Sequence, residues 1–331
     1  MNSTPAPADD IQEDPDPPTP KGREESAPRG GLLPNLGELT KARLNMLVVG
    51  TTAVGFALAG TEQPALLLFW TLVGTGLTAA SAGMLNQLAE IERDGRMHRT
   101  EKRPLPAGLV SPKVVFAVSV LLAYAGVTVL GMLVNGLSAM LALANVLIYV
   151  LIYTPLKPRT TLNTLVGAIC GAIPPMIGWA AATGELGPGA WLLGALLFVW
   201  QLPHFFALAL MYRDDYERGG FLMLPVVDRR GEITVQVILV TSLILVPVGL
   251  GATVLGISGW YSAFAAILLG TMMSALALML YIRRSRVAAR RVFLGSLAYL
   301  PLMLGMMVID SGAVDPADED QGETLPENAA P

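Results

Sequence analysis

Asn86, Glu90 and Asp94 stand four residues apart, directly after an apolar run long enough to cross a membrane. Within one continuous helix, each step of four turns a side chain by about 40° and raises it by about 6 Å. Three oxygen-bearing side chains then form a stripe at one mouth of the helix. That mouth is the C-terminal end, where the helix dipole disfavours anions, so the stripe needs a cation. Mg²⁺ is the natural candidate, a hard ion that takes carboxylate and phosphate oxygens. Arg96, Arg99, Lys102 and Arg103 follow at once. A hard cation beside a basic cluster describes a diphosphate site.

A second acidic and basic cluster, Arg213-Asp214-Asp215, lies more than a hundred residues on. Two such clusters on one face would hold Mg²⁺ between them and clamp one diphosphate. The chemistry this suits is ionisation of an allylic diphosphate, with the metal as Lewis acid and template and fixed basic donors stabilising the leaving group. The carbocation then needs a dry, apolar cavity. Tyr153, Trp179, Trp200, Phe205 and Tyr212 are candidates to line it. His204 lies about 12 Å deeper than Tyr212 on nearly the same helix face, where it would bind a haem iron or carboxylate, act as a base, or serve as a hydrogen-bonded structural residue. His98, in the basic loop, reads as solvated. The plain alternative for Glu90 and Asp94 is a solvated helix end paired with Arg93, Arg96 or Lys102.

The elements that position these residues are membrane spans. Of the 331 residues 53% are hydrophobic and 15% charged, and mean hydropathy is +0.55. That composition excludes an ordinary soluble core. One cysteine, Cys170, permits no intramolecular disulfide, and two histidines with one cysteine are too scattered for zinc. Residues 1–36 and 311–331 read as disordered acidic, proline-containing tails, and 37–310 as the membrane domain. Nine spans are expected, at about 42–60, 65–90, 114–134, 138–153, 162–182, 190–212, 234–255, 261–282 and 292–309. Pro174 and Pro175 should kink the fifth. With the N-terminus inside, all 22 Lys and Arg fall on one side, a strong positive-inside signal that puts the C-terminus outside. The charged loops after spans two and six then share a face. That loose parallel repeat favours a site open to one compartment over a transporter or another non-enzymatic haem-handling protein.

The pattern Asn86-x3-Glu90-x3-Asp94-x2-Met97-x-Arg99-Thr100-x2-Arg103-Pro104-Leu-Pro106 resembles the UbiA superfamily of intramembrane prenyltransferases. The stretches Tyr153-Thr154-Pro-Leu-Lys157-Pro-Arg159-Thr160, Gly171-Ala-Ile-Pro174-Pro175, Pro203-His204-Phe205 and Tyr212-Arg213-Asp214-Asp215-Tyr216 are similar to its protohaem IX farnesyltransferase (haem O synthase) branch. The resemblance implies an all-α, UbiA-like bundle of nine transmembrane helices around a central cavity. It implies Mg²⁺-dependent transfer of farnesyl from farnesyl diphosphate to a vinyl group of haem B, giving haem O, in a bacterial plasma membrane. Another acceptor of the same superfamily, an aromatic or quinone precursor, is the alternative. It implies Asn86, Glu90, Asp94, Asp214 and Asp215 as metal-binding and catalytic residues. Arg99, Lys102, Arg103, Lys157, Arg159 and Arg213 become candidates for the diphosphate, with Tyr153 and His204 as further substrate contacts. It makes haem A synthase or terminal-oxidase assembly proteins candidate partners. The chain departs from the pattern at Glu90, where aspartate is usual, and at Gln201-Leu202, where Thr-Pro is common.

Overall fold

A computed structural model describes residues 32–60 and 62–311, and all regular structure among them is helical. The chain runs through α1 (Leu32–Leu39), α2 (Ala42–Ala57), α3 (Ala65–Ala89), α4 (Ile91–Asp94), α5 (Pro112–Leu133) and α6 (Gly136–Leu147). A π-helical stretch, Ile148–Tyr153, joins α6 to α7 (Thr154–Leu156). Then come α8 (Asn163–Thr183), α9 (Pro188–Met211), α10 (Arg213–Arg218), α11 (Leu224–Val227), α12 (Glu232–Val254), α13 (Trp260–Arg283) and α14 (Arg286–Ser311).

Eight of these are long and apolar enough to cross a bilayer, with α6 to α7 counted as one rod, Gly136–Leu156. Helix α2 is the ninth apolar helix, and its 16 residues fall short of a full span. The expected first span is cut back because the helix ends at Ala57 and Gly60 turns the chain at φ 67°. The expected fourth span is longer, because the π turn carries it on to Leu156. Helix α1 takes in residues 32–36, which the sequence reading assigns to the N-terminal tail. The rest of that tail, and 312–331, lie outside the described residues.

Helix ends follow their local chemistry. Asn135 caps α6 by accepting from the Ser138 N–H at 2.8 Å. Asp228 does the same for α12 through the Thr234 N–H at 2.8 Å, and Asp310 reaches from the end of α14 to the Ser262 N–H of α13 at 2.7 Å. Proline opens α5 and α9 where its missing N–H costs nothing.

Helix α8 lies at the centre. It is buried along most of its length and packs on α2, α6 and α9. Pro174 and Pro175 do not interrupt it, since neighbours rather than lipid surround the freed carbonyls. Its contact with α2 is backbone on backbone. A Cβ at Gly55 would collide with the carbonyl of Pro175, and one at Gly178 with the carbonyl of Thr52. On one side α3, α5 and α6 complete a half-bundle around Leu130, Ile173 and Ile177. On the other α9, α12, α13 and α14 enclose a larger core around Leu193, Ile238, Leu245, Met273 and Met303.

Candidate active site

Between the halves lies a cavity of about 350 Å³. Its lining shows one spacing on several helices: Lys41 and Asn45; Asn86, Glu90 and Asp94; Asn145, Tyr149, Tyr153 and Lys157; Gln201 and Phe205. Steps of four keep side chains on one helix face, with a drift of about 40° per step. In the long run from Asn145 to Lys157 the π stretch widens a turn and takes back part of that drift. Leu44, Val48, Ala79, Ala82 and Cys170 complete an apolar lower wall.

The charged mouth is built from four basic side chains, Lys41, Arg99, Arg103 and Lys157, facing two carboxylates, Glu90 and Asp94. Each oxygen donor of the first motif is held by a basic partner. Lys41 Nζ donates to Asn86 Oδ1 at 2.6 Å, Lys157 Nζ to Glu90 Oε1 at 2.7 Å, and Arg103 Nη1 to Asp94 Oδ2 at 2.7 Å. The carboxylates are buried, with Asp94 only 1% exposed. Asn86 Nδ2 donates on to Thr154 Oγ1, which donates to the Tyr149 carbonyl. Burial, then the nearby Lys157, pulls the Lys41 amine down to a pKa of about 7. Burial works most strongly against the Lys157 ammonium, but Glu90 together with Tyr149 and Tyr216 outweighs it and holds that pKa above the ordinary lysine value.

The stripe does not sit on one continuous helix. Helix α3 stops at Glu90, which leaves helical geometry at φ −109°, ψ 9°, and α4 restarts the chain to place Asp94. The Thr100 hydroxyl then donates to the Asp94 carbonyl and folds the loop back. All three donors still line the same cavity.

The two charged loops meet, as expected. Arg93 Nη1 donates to the carbonyls of Gly219 and Gly220 at 3.1 and 3.0 Å. Met97 packs with Phe221 and Met223, and the Leu222 N–H donates to the Lys157 carbonyl at 2.8 Å. The acids of the second loop do not enter the cavity lining. Asp215 is buried and paired with Arg218. Asp214 is exposed and 2.9 Å from Arg286. Among the described residues no three or more His, Cys, Asp or Glu side chains are grouped to hold a metal.

The other sequence candidates divide. Arg99, Arg103, Tyr153, Lys157 and Phe205 line the cavity. Arg99 also lies over the rings of Tyr212 and Tyr216, at 5.6 and 5.9 Å. Lys102, Arg159, Arg213, Trp179, Trp200 and Tyr212 do not line it; Arg213 donates instead to the Arg229 carbonyl. His204 faces away, stacked between Trp200 and Phe293 with Nδ1 2.8 Å from Ser296 Oγ. Lys41, Asn45, Asn145, Tyr149 and Phe221 belong to none of the sequence motifs, and Tyr216 enters only as the end of the Tyr212–Tyr216 stretch. The repeated step of four through Asn145, Tyr149, Tyr153 and Lys157 is the signal that finds several of them.

Residues 48–302 match the UbiA prenyltransferase family. The chain is 41% identical over 284 residues to a protoheme IX farnesyltransferase of Solibacter usitatus, covering 82% of this chain and 97% of that protein. It is 42% identical over 275 residues to the human mitochondrial protoheme IX farnesyltransferase, covering 82% of this chain and 61% of that longer protein. In fold it resembles digeranylgeranylglyceryl phosphate synthase, with a TM-score of 0.72 at 15% identity over 84% of this chain and 98% of the other. It also resembles a UbiA homolog from Archaeoglobus fulgidus bound to DMAPP and Mg²⁺, with a TM-score of 0.57 at 13% identity over 83% and 99%. The chain belongs to the UbiA prenyltransferase family.

Proposed function

We propose that this integral membrane prenyltransferase takes farnesyl diphosphate at the charged mouth and transfers its farnesyl group to a vinyl group of haem B, giving haem O. One observation carries the reading: four basic side chains and the Asn86, Glu90 and Asp94 oxygens surround the mouth of a cavity whose deeper wall is apolar and aromatic. Identity near 40% to protoheme IX farnesyltransferases over most of the chain supports the acceptor.

The donor set fits Mg²⁺. Asn86, Glu90 and Asp94 offer hard oxygens, and Mg²⁺ characteristically takes one or two carboxylates together with substrate phosphates and water. A preformed cage of acids is therefore not required, which accords with the lack of one among the described residues. When bound, Mg²⁺ would neutralise and orient the leaving diphosphate. Arg99, Arg103 and Lys157 stabilise charge on the departing oxygens as the C–O bond breaks. The rings of Tyr149 and Tyr153, 5.1 Å apart in the cavity lining, would attract an allylic cation. Asp215 braces the second loop through Arg218. The one-sided distribution of basic residues supports a mouth and N-terminus on the cytoplasmic side of a bacterial plasma membrane, with the C-terminus outside.

The test is the product mass from purified protein, haem B, farnesyl diphosphate and Mg²⁺. Haem O is expected. Prenylation of an aromatic acid with haem B left untouched would overturn the acceptor assignment.

A further inference from the structure

Of the three basic residues that hold the oxygens of the first motif, Lys41 differs from the other two. Arg103 and Lys157 each meet a carboxylate, whereas Lys41 is hydrogen-bonded to the neutral amide oxygen of Asn86. It is a cavity-lining amine with no carboxylate ion pair among the described residues. Its backbone is held in the left-handed region at φ 50°, ψ 51°, a conformation costly for any residue but glycine. Gln87 enforces this turn by donating to the Glu38 and Leu39 carbonyls at 3.0 and 2.8 Å, where α1 ends. Strain held in place by a buried amide aims the Lys41 stem at the mouth. No sequence motif singled it out.

We propose that Lys41 is a diphosphate ligand that occupies the metal's place on Asn86 until substrate arrives, so that metal and diphosphate enter together. The inference rests on the transferase reading above and adds a residue and an order of binding to it. A divalent ion entering alone would have to displace Lys41, Lys157 and Arg103 from the oxygens it needs. It would leave the displaced Lys157 and Arg103 charges around a further cation, with no added anion. A diphosphate entering with the metal brings the missing negative charge. The three basic side chains then turn from protein oxygens to phosphate oxygens, and the metal takes Asn86, Glu90 and Asp94. Lys41 gives up least in this exchange, since its present partner carries no charge. No covalent bond changes; the step is an exchange of partners.

The test uses the full chain in nanodiscs, with Mn²⁺ binding read by electron paramagnetic resonance, alone and with inorganic pyrophosphate. In the wild type pyrophosphate should tighten Mn²⁺ binding by about tenfold or more, the scale of one or two charge-assisted hydrogen bonds. Lys41→Met should lose most of that enhancement while binding Mn²⁺ alone at least as tightly as the wild type. Lys41→Arg should keep the enhancement. Lys41→Gln, which retains a donor to Asn86 and so preserves the local fold, should behave like Lys41→Met. Enhancement retained in Lys41→Met or Lys41→Gln overturns the role of Lys41 and leaves the transferase reading standing. A wild type that binds Mn²⁺ tightly without pyrophosphate overturns the joint entry. A wild type that binds neither overturns both this inference and the diphosphate site beneath it.

Discussion

After α3 the chain turns Glu90 and Asp94 into the cavity; after α9 it ties Asp215 to Arg218 and leaves Asp214 at the surface beside Arg286. Both loops carry acids and arginines, and Arg93 joins them. Spacing separates their fates. Residues four apart share a helix face, whereas neighbours on a helix point about 100° from one another. Asp214 and Asp215 are consecutive within α10, so both cannot look into one cavity, and it is the next residue, Tyr216, that lines it. Equal composition in two loops does not mean equal work.

The comparison breaks most visibly at Asp94. Asp94→Asn should lower kcat/KM for haem O formation by about 10²–10³, the scale of one lost electrostatic contact to a reacting group, in a steady-state assay. Asp215→Asn should cost about tenfold, because it frees Arg218 and loosens the second loop without touching the diphosphate. Arg93→Met removes the tie to Gly219 and Gly220. It should cost severalfold in kcat/KM and about 1–3 kcal/mol of stability, since only one of the two charge-assisted bonds is part-buried and the other is exposed, read as a lower thermal midpoint. Asp214→Asn should change rate by less than about threefold, since an exposed ion pair contributes little.

Much of this was legible because a membrane forces its signals into the sequence. Apolar runs of span length and the one-sided Lys and Arg distribution gave the helix order, and both loops lie together as that order requires. The step of four from Asn86 to Asp94 found the inward-facing donors. Their partners were harder to find. Lys157 reaches Glu90 across 67 positions and Lys41 reaches Asn86 across 45, and no local pattern encodes such pairings. The break at Glu90 was hidden too: the residue leaves helical geometry while its carboxylate meets Lys157 from another element. Which of the open roles of His204 the fold favours was not legible, because the group its ring meets, Ser296, lies on α14. Lys41 looked like an ordinary flanking lysine, and only the left-handed turn held by Gln87 turns it inward.

The most direct test is the ratio of haem O formation by Asp94→Asn to that by Asp214→Asn, measured side by side with farnesyl diphosphate, haem B and Mg²⁺. An inward first motif and an outward Asp214 predict that the Asp94 variant is slower by about a hundredfold or more. Equal losses, or a greater loss at Asp214, would mean that the diphosphate is gripped by the other loop.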